Sequence, residues 1–564
     1  MRSDIRVMSR RDLLRATIAA AGALALAGCT DLRGGEGSAE LEGGDPREGA
    51  IAVSSVKPLC IDPFNAVDEA GAQICFQLFD PLMRYDYEYG VLTCLAAESY
   101  TASEDQREFT FTIREAYFHN GEAVRAQDFK RGWERIANPS SAAAGVLGAS
   151  NVSFLLSLVE GYQDLREGRA SGLSGITCPD DRTLVVRLSS AYADFPYVCA
   201  HHCLVPVPDD ADADAEAFSR MPVGNGPYKM TEAWDGQSAQ IELSRFLDYA
   251  GTVTTIDTVR FTFYDSVGDA YRAYEAGDAT LAPCPIESVD ANAASWKSSD
   301  DERLRITSGR RCVLGVSPVV SYLVCNTSVA PLDDVRFRRA ISLAIDRDGI
   351  SKRVYRDARM PADGIVAPVV PGYREGAWPY CVHDNDAAEE LLDELYPTGA
   401  GGARDVTLTI TYGEDSGQRN AMEQIAESLS AVGIACELEE LPFEDLYVRY
   451  RSGSFMLGRY DWSCDFASMD NVLYPLFHSA SLSAYNFSRY ANEQVDTCIN
   501  EARSTGSEGE RTSRLQEAED IVAQDCPVIP YLFGSYAYVG NQRIEQLHID
   551  ADGFAHLGEA ELAD

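Results

Sequence analysis

Apolar and polar positions alternate with period two in REFTFTIREA (107–116), where Phe109, Phe111 and Ile113 face one way and Thr and Arg the other. That pattern predicts a strand with one buried face. DRTLVVRLSS (181–190) repeats it through Leu184, Val186 and Leu188 after an Asp-Asp turn. The period changes in DDVRFRRAISLAIDRDGI (333–350). Phe337, Ile341, Ala344 and Ile345 there recur at i, i+4, i+7 and i+8, predicting one amphipathic helix capped by Asp333 or Asp334. Further on the two periods follow each other. DVTLTITY (405–412) alternates Val406, Leu408 and Ile410. A helix then places Met422, Ile425, Ala426, Leu429 and Val432 on one face, Gly433 stops it, and IACEL (434–438) starts a strand. This predicts a βαβ unit with parallel strands and a right-handed crossover. The chain reads as mixed α/β without internal repeats.

The N-terminus follows a different logic. SRRDLLR (9–15) sets Arg10 and Arg11 before the apolar run 16–28, which ends Leu26-Ala27-Gly28-Cys29. The run is too short to span a bilayer, so a basic start, an apolar core and a small-residue cut site predict an export signal. The twin arginines point to the twin-arginine route, with Sec export as the alternative. TDLRGGEGSAELEGGDPREG (30–49) has no apolar period. It reads as a flexible tether of about 20 residues, with a reach on the order of 25 Å.

The 564 residues exceed what one core organises, and two or three lobes are expected. The net charge is −40, and the signal removes five Arg but only two Asp, so the mature chain is three charges more negative still. A distributed negative charge argues against nucleic acid, whose phosphates need Lys and Arg, and against a polybasic membrane contact. Besides Cys29, 14 cysteines show no regular spacing, so their pairing stays open. The cluster Cys199-Ala-His-His-Cys203 has no second ligand pair at zinc-like spacing, and a buried or disulfide-bonded pair is favoured over a metal. No P-loop, dinucleotide fingerprint, HExxH or GxSxG is present, and nothing calls for a cofactor.

An ordered series of segments resembles one family, the extracellular solute-binding proteins of oligopeptide and dipeptide transporters (family five). It includes residues 95–139 with the turn Phe118-His119-Asn120-Gly121-Glu122, then Asp128, Phe129 and Trp133, with Asp128 expected to begin their helix. Val223-Gly224-Asn225-Gly226-Pro227-Tyr228, Tyr322 with Asn326, Pro331-Leu332-Asp333, the Arg338–Arg347 stretch and CPVIPYLF (526–533) follow. Arg245-Phe246-Leu247-Asp248-Tyr249 departs from the family pattern. Leu26-Ala27-Gly28-Cys29 is similar to a bacterial lipobox, which implies lipidation of Cys29 after removal of residues 1–28, and a membrane-anchored protein facing outward. The resemblance implies a class II periplasmic-binding-protein fold with three lobes and a hinge. Lobe I would combine 50–80, 208–312 and 531–564, lobe II would span 81–207, and lobe III 313–530, with residues 29–49 as anchor and tether.

The same resemblance implies the site. Trp462-Ser463-Cys464-Asp465 matches an element in which the Asp meets a peptide's α-ammonium and the Trp lines a side-chain pocket; the alternative is that Asp465 caps a helix near Phe466. Arg459 matches a position that meets the peptide carboxylate, with a surface salt bridge as the equal alternative. Arg451 is offset by one from a second such position, and Tyr322 matches an aromatic lining position. The implied function is a substrate-binding subunit of an ABC importer. It would be a monomer that captures oligopeptides and delivers them to a permease driven by separate ATPases. Alternatives are another solute (dipeptide, nickel, haem or sugar) or an exported hydrolase.

Overall fold

A computed structural model describes residues 49–251, 256–288, 292, 305–399, 401–414, 416–482 and 484–563. Cys29, the signal and nearly all of the tether lie outside the described residues. The backbone of the molecule is a ten-stranded sheet. Two long antiparallel strands, Cys312–Cys325 and Val528–Gly540, run through its middle. On one side of them lie Leu281–Pro283, Ala50–Val56, Thr258–Tyr264, Gln240–Arg245 and Tyr228–Met230; on the other lie Leu457–Ser463, Thr407–Gly413 and Ala435–Leu441.

Lobe I packs around Ile51, Leu78, Val259, Phe261 and Leu547 on the first half-sheet. Lobe III carries two cores on the second half. One contains Leu323, Ile341, Leu408 and Ile425, the other Trp378, Tyr460, Trp462 and Leu473. Lobe II has its own antiparallel sheet, ordered Ala97–Ala102, Glu108–Ile113, Thr183–Arg187, Ile176–Thr177. Its core contains Phe109, Phe111, Trp133, Leu184 and Val186. The period-two pattern put those phenylalanines and aliphatics on one face, and that face is the buried one. The βαβ unit is present as Thr407–Gly413, helix Ser416–Ala431 and Ala435–Leu441, with the strands parallel. Gly433 ends the helical region at φ +83°, a conformation that glycine adopts without strain.

Two readings are corrected. The single helix over 333–350 is two, Val335–Ala344 and Arg347–Tyr355. The break occurs because the Asp346 side chain accepts the Gly349 N–H at 2.8 Å and caps a new helix, while Ile345 turns extended. Asp128 does not begin its helix, which spans Ala126–Ala137; its carboxylate reaches back to accept the Arg125 N–H at 2.7 Å. Of the two alternatives left open for Cys199 and Cys203, the structure takes the buried pair: both are buried free thiols, and the other 12 described cysteines are free as well.

The glycine-rich segment at 224–226 is a clamp. A Cβ on Gly224 would lie 1.9 Å from the Leu78 carbonyl oxygen. The Gly226 N–H donates to that same oxygen at 2.8 Å, and Asn225 Oδ1 accepts the Asp80 N–H at 3.0 Å. Helix Glu69–Leu78 is thereby stopped and held against lobe I, so these residues serve the fold.

Candidate functional site

The site is built on the strand Leu457–Ser463, hereafter the site strand. It pairs with Cys312–Cys325 so that Trp462 lies opposite Val320, Asp461 opposite Ser321, Tyr460 opposite Tyr322 and Arg459 opposite Leu323. On its other side, Thr407–Gly413 pairs only at Leu457 and Gly458. From Arg459 to Ser463 no strand among the described residues pairs with that edge, although the Tyr450 hydroxyl donates to the Arg459 carbonyl at 2.8 Å. An open edge of this kind is a template for a further strand.

Alternation along the site strand sends Tyr460 and Trp462 to one face and Arg459 and Asp461 to the other. The face bearing Trp462 closes a cavity of about 390 Å³ between lobes II and III. Lobe II supplies Leu158, Tyr192 and Phe195, and lobe III supplies Trp462, Tyr474 and Asp465. Trp462 is 8 % exposed and packs edge-on to Tyr485 at 5.4 Å; its indole N–H has no acceptor among the described residues. Arg503 does not leave a net charge in this wall. It makes two bonds of 2.8 and 2.9 Å to Asp470 and lies over the rings of Tyr474 and Tyr192.

Asp465 is half-buried on the turn after the site strand and lines this cavity. Two hydrogen bonds hold the turn: the Cys464 N–H donates to the Pro318 carbonyl, and the Asp465 N–H donates to Asn471 Oδ1. The next helix begins only at Asp470, with Met469 before it, so Asp465 is not a helix cap. Pro318 and Val319 form a bulge between the pairs Ser317–Gly534 and Val320–Phe533. That bulge sits where the central strands pass from the lobe I half-sheet to the lobe III half, which ties the Asp465 turn to the crossing between lobes.

Arg459 lies apart from Trp462 and Asp465, on the opposite face, in a second cavity of about 370 Å³ between lobes I and III. It is 3 % exposed; its Nη2 bonds Asp461 and its Nε bonds the Tyr531 hydroxyl at 3.2 Å. Asp461 also accepts the Ser321 hydroxyl at 2.5 Å. The expected surface salt bridge is therefore a buried one. Residues three apart on a strand face opposite ways, so this separation was implicit in RYDW once that segment is a strand. Tyr322 is 1 % exposed, packed against Tyr460 in the core, and lines none of the described cavities. Arg451 lies exposed at the end of helix Phe443–Ser452, its guanidinium over Tyr447.

Sequence reasoning missed the lobe II wall and the residues Asp470 and Arg503. Only Asp470 and Tyr474, four apart just after Asp465, carried a local signal. At the other cluster, the ligating atoms of His201, His202 and Cys203 lie within 4.8 Å of one another, but Cys199 is not part of that group. His201 Nδ1 accepts the Cys203 N–H, and His202 Nε2 meets the Ala66 carbonyl at 2.9 Å, so backbone hydrogen bonds already organise both rings.

The family model described as bacterial extracellular solute-binding proteins, family 5 (middle), matches residues 92–483. The chain belongs to this family. It is accordingly a solute-binding protein with the periplasmic-binding-protein fold, and not an enzyme. Among curated relatives, the dipeptide-binding protein DppE of Bacillus subtilis is 24 % identical over 552 residues, covering 94 % of this chain and 96 % of its own. The probable deoxycholate-binding periplasmic protein YgiS of Escherichia coli is 25 % identical over 492 residues, covering 84 % and 86 %. The unliganded open form of the periplasmic murein tripeptide-binding protein MppA superposes with a TM-score of 0.75 at 22 % identity, covering 88 % of this family 5 chain and 94 % of its own. Among the described residues no helix is long and apolar enough to cross a membrane.

Proposed function

We propose that this family 5 protein is the lipid-anchored receptor of an ABC importer for oligopeptides. It would be fastened outside the cytoplasmic membrane through Cys29 and act as a monomer that passes its ligand to a permease driven by separate ATPases. The observation that carries the reading is the meeting of Trp462 and Asp465 in one cavity between lobes, at the end of a strand whose edge is open from Arg459 to Ser463. A peptide main chain supplies the donors and acceptors that such an edge lacks, and an α-ammonium entering a half-enclosed cavity needs an anion. Neighbouring aromatic walls suit a side chain. The relative named for dipeptides supports the ligand class. We place the lobe boundaries at 50–80 with 208–312 and 531–564 for lobe I, 81–207 for lobe II and 313–530 for lobe III. The test is to expose the pure protein, stripped of co-purified ligand, to a defined peptide mixture and weigh what it retains. Intact peptides are expected. Retention of none, with capture of a non-peptide solute from the same medium, refutes the peptide assignment.

A further inference from the structure

In lobe II, Asp194 stands directly before the short helix Phe195–Val198. An aspartate in that position ordinarily accepts an N–H of its own helix. The Asp194 side chain does not, and among the described residues its carboxylate makes no hydrogen bond within lobe II. It turns to lobe III instead. One oxygen accepts the Ser468 hydroxyl, and the other pairs with Arg511 Nε at 2.7 Å. Asp194 is buried, and burial raises its carboxyl although Arg511 opposes the shift. Backbone and ring contacts surround this ion pair. The Ala193 N–H donates to the Arg503 carbonyl at 2.8 Å, and the Arg503 guanidinium lies over the Tyr192 ring at 4.7 Å. Gln106, whose carbonyl accepts the Tyr192 N–H at 3.0 Å, abuts Gly506 of lobe III so closely that a Cβ there would lie 2.7 Å from its amide nitrogen. The loop docked in this way also walls the Trp462 cavity, through Tyr192 and Phe195.

We propose that Asp194 is a positioning residue that governs ligand retention: it docks lobe II on lobe III, holds the Tyr192–Phe195 wall against Trp462, and slows escape from the cavity between them. This deepens the peptide reading and rests on it. A contact formed only between lobes adds to the stability of the closed state, so it lengthens the life of the complex without touching ligand. Burial makes the contact effective, because water competes weakly for a carboxylate and a guanidinium that are 3 % and 12 % exposed. The same loop meets two arginines with separate tasks. Arg511 answers the charge of Asp194, whereas the Arg503 guanidinium is held by Asp470 and only its carbonyl and ring face engage lobe II. Loss of the Asp194 charge therefore releases the docked loop and leaves the lobe III wall of the cavity in place.

Docking is measured in the full-length mature protein, stripped of ligand, by hydrogen exchange on the segment that holds Ala193, whose amide is bonded across the lobes. Asp194→Asn keeps the shape and removes the charge. It is expected to speed exchange at Ala193 by about tenfold or more, the scale of one lost hydrogen bond to a charged group. The strands Glu108–Ile113 and Thr183–Arg187 should exchange as in wild type, which shows that lobe II stays folded. Arg511→Lys, which keeps a cation, should fall between the two. Retention is measured as the dissociation rate of a tetrapeptide with free ends and apolar side chains, by surface plasmon resonance. Asp194→Asn should raise that rate by about tenfold and change the association rate far less. Ala193 exchange equal to that of wild type overturns the docking role, and faster exchange with an unchanged dissociation rate overturns the retention role; in both cases the peptide reading stands. If wild type binds no tetrapeptide, both fall.

Discussion

At the scale of single residues, Asp465 is half-buried and Asp80 is buried, and they should respond oppositely to loss of charge. Asp465 lines the cavity wall beside Trp462, so its charge should serve ligand. Asp465→Asn is expected to weaken a free-amine peptide by about thirtyfold, roughly 2 kcal/mol, and to leave the already weak binding of its N-acetylated form unchanged. Its melting temperature should stay near that of wild type. Equal loss for both peptides in a titration would show that Asp465 holds the turn and not the ammonium. Asp80 instead serves the fold. Burial lifts its carboxyl to about 6, with Arg84 and the Tyr249 hydroxyl opposing the shift. A raised carboxyl pKa means that the folded state holds the proton more tightly than the unfolded chain. That contribution is full below about 3.8 and is lost as pH rises through about 6. Asp80→Asn, neutral at every pH, should therefore gain on wild type between pH 4 and 7.5 by on the order of 2–3 kcal/mol. Urea unfolding at the two pH values measures this, and a difference that does not vary with pH would contradict it.

Among the elements, the two central strands decide how the lobes are joined. Gly534 lies opposite the bulge, and a Cβ there would meet Ser317 Oγ at 2.4 Å and the Val319 Cβ at 2.5 Å. Gly534→Ala would push the strands apart where they cross between lobes, at a cost of roughly 1–3 kcal/mol. The same bulge holds the Cys464 N–H through the Pro318 carbonyl, so the variant should also lose peptide affinity although it touches no ligand. Unchanged stability, read by thermal unfolding, would mean that the bulge accommodates a methyl group. Element positions were largely legible in the sequence because periodicity is local: Phe109, Phe111, Leu184, Val186 and the βαβ unit all face as their spacing implied. The break at Asp346 was not, since Ile345 continues the apolar pattern while a side-chain cap competes with the helix.

For the whole molecule, the cavity bounded by Phe195 of lobe II and Trp462 of lobe III, and the wider cleft bounded by Tyr87 of lobe II, Arg305 of lobe I and Tyr373 of lobe III, gain their full contacts with a ligand only when the lobes approach. Small-angle scattering of the ligand-free protein should show a smaller radius of gyration once a bound peptide is added. No compaction at saturation would argue against a clamp. Asp194 of lobe II already meets Ser468 and Arg511 of lobe III, so the two lobes share a contact that such a motion must keep or exchange.

The sequence by itself determined most strand and helix positions and the family, because each is written in neighbouring residues or in motifs of fixed spacing. The tertiary structure alone decided that Tyr322 is core and that Asp461 neutralises Arg459. It also decided that Tyr192 and Phe195, some 270 residues before Trp462, complete its cavity. Burial and charge balance depend on what packs against a side chain from distant parts of the chain, and no local pattern encodes that.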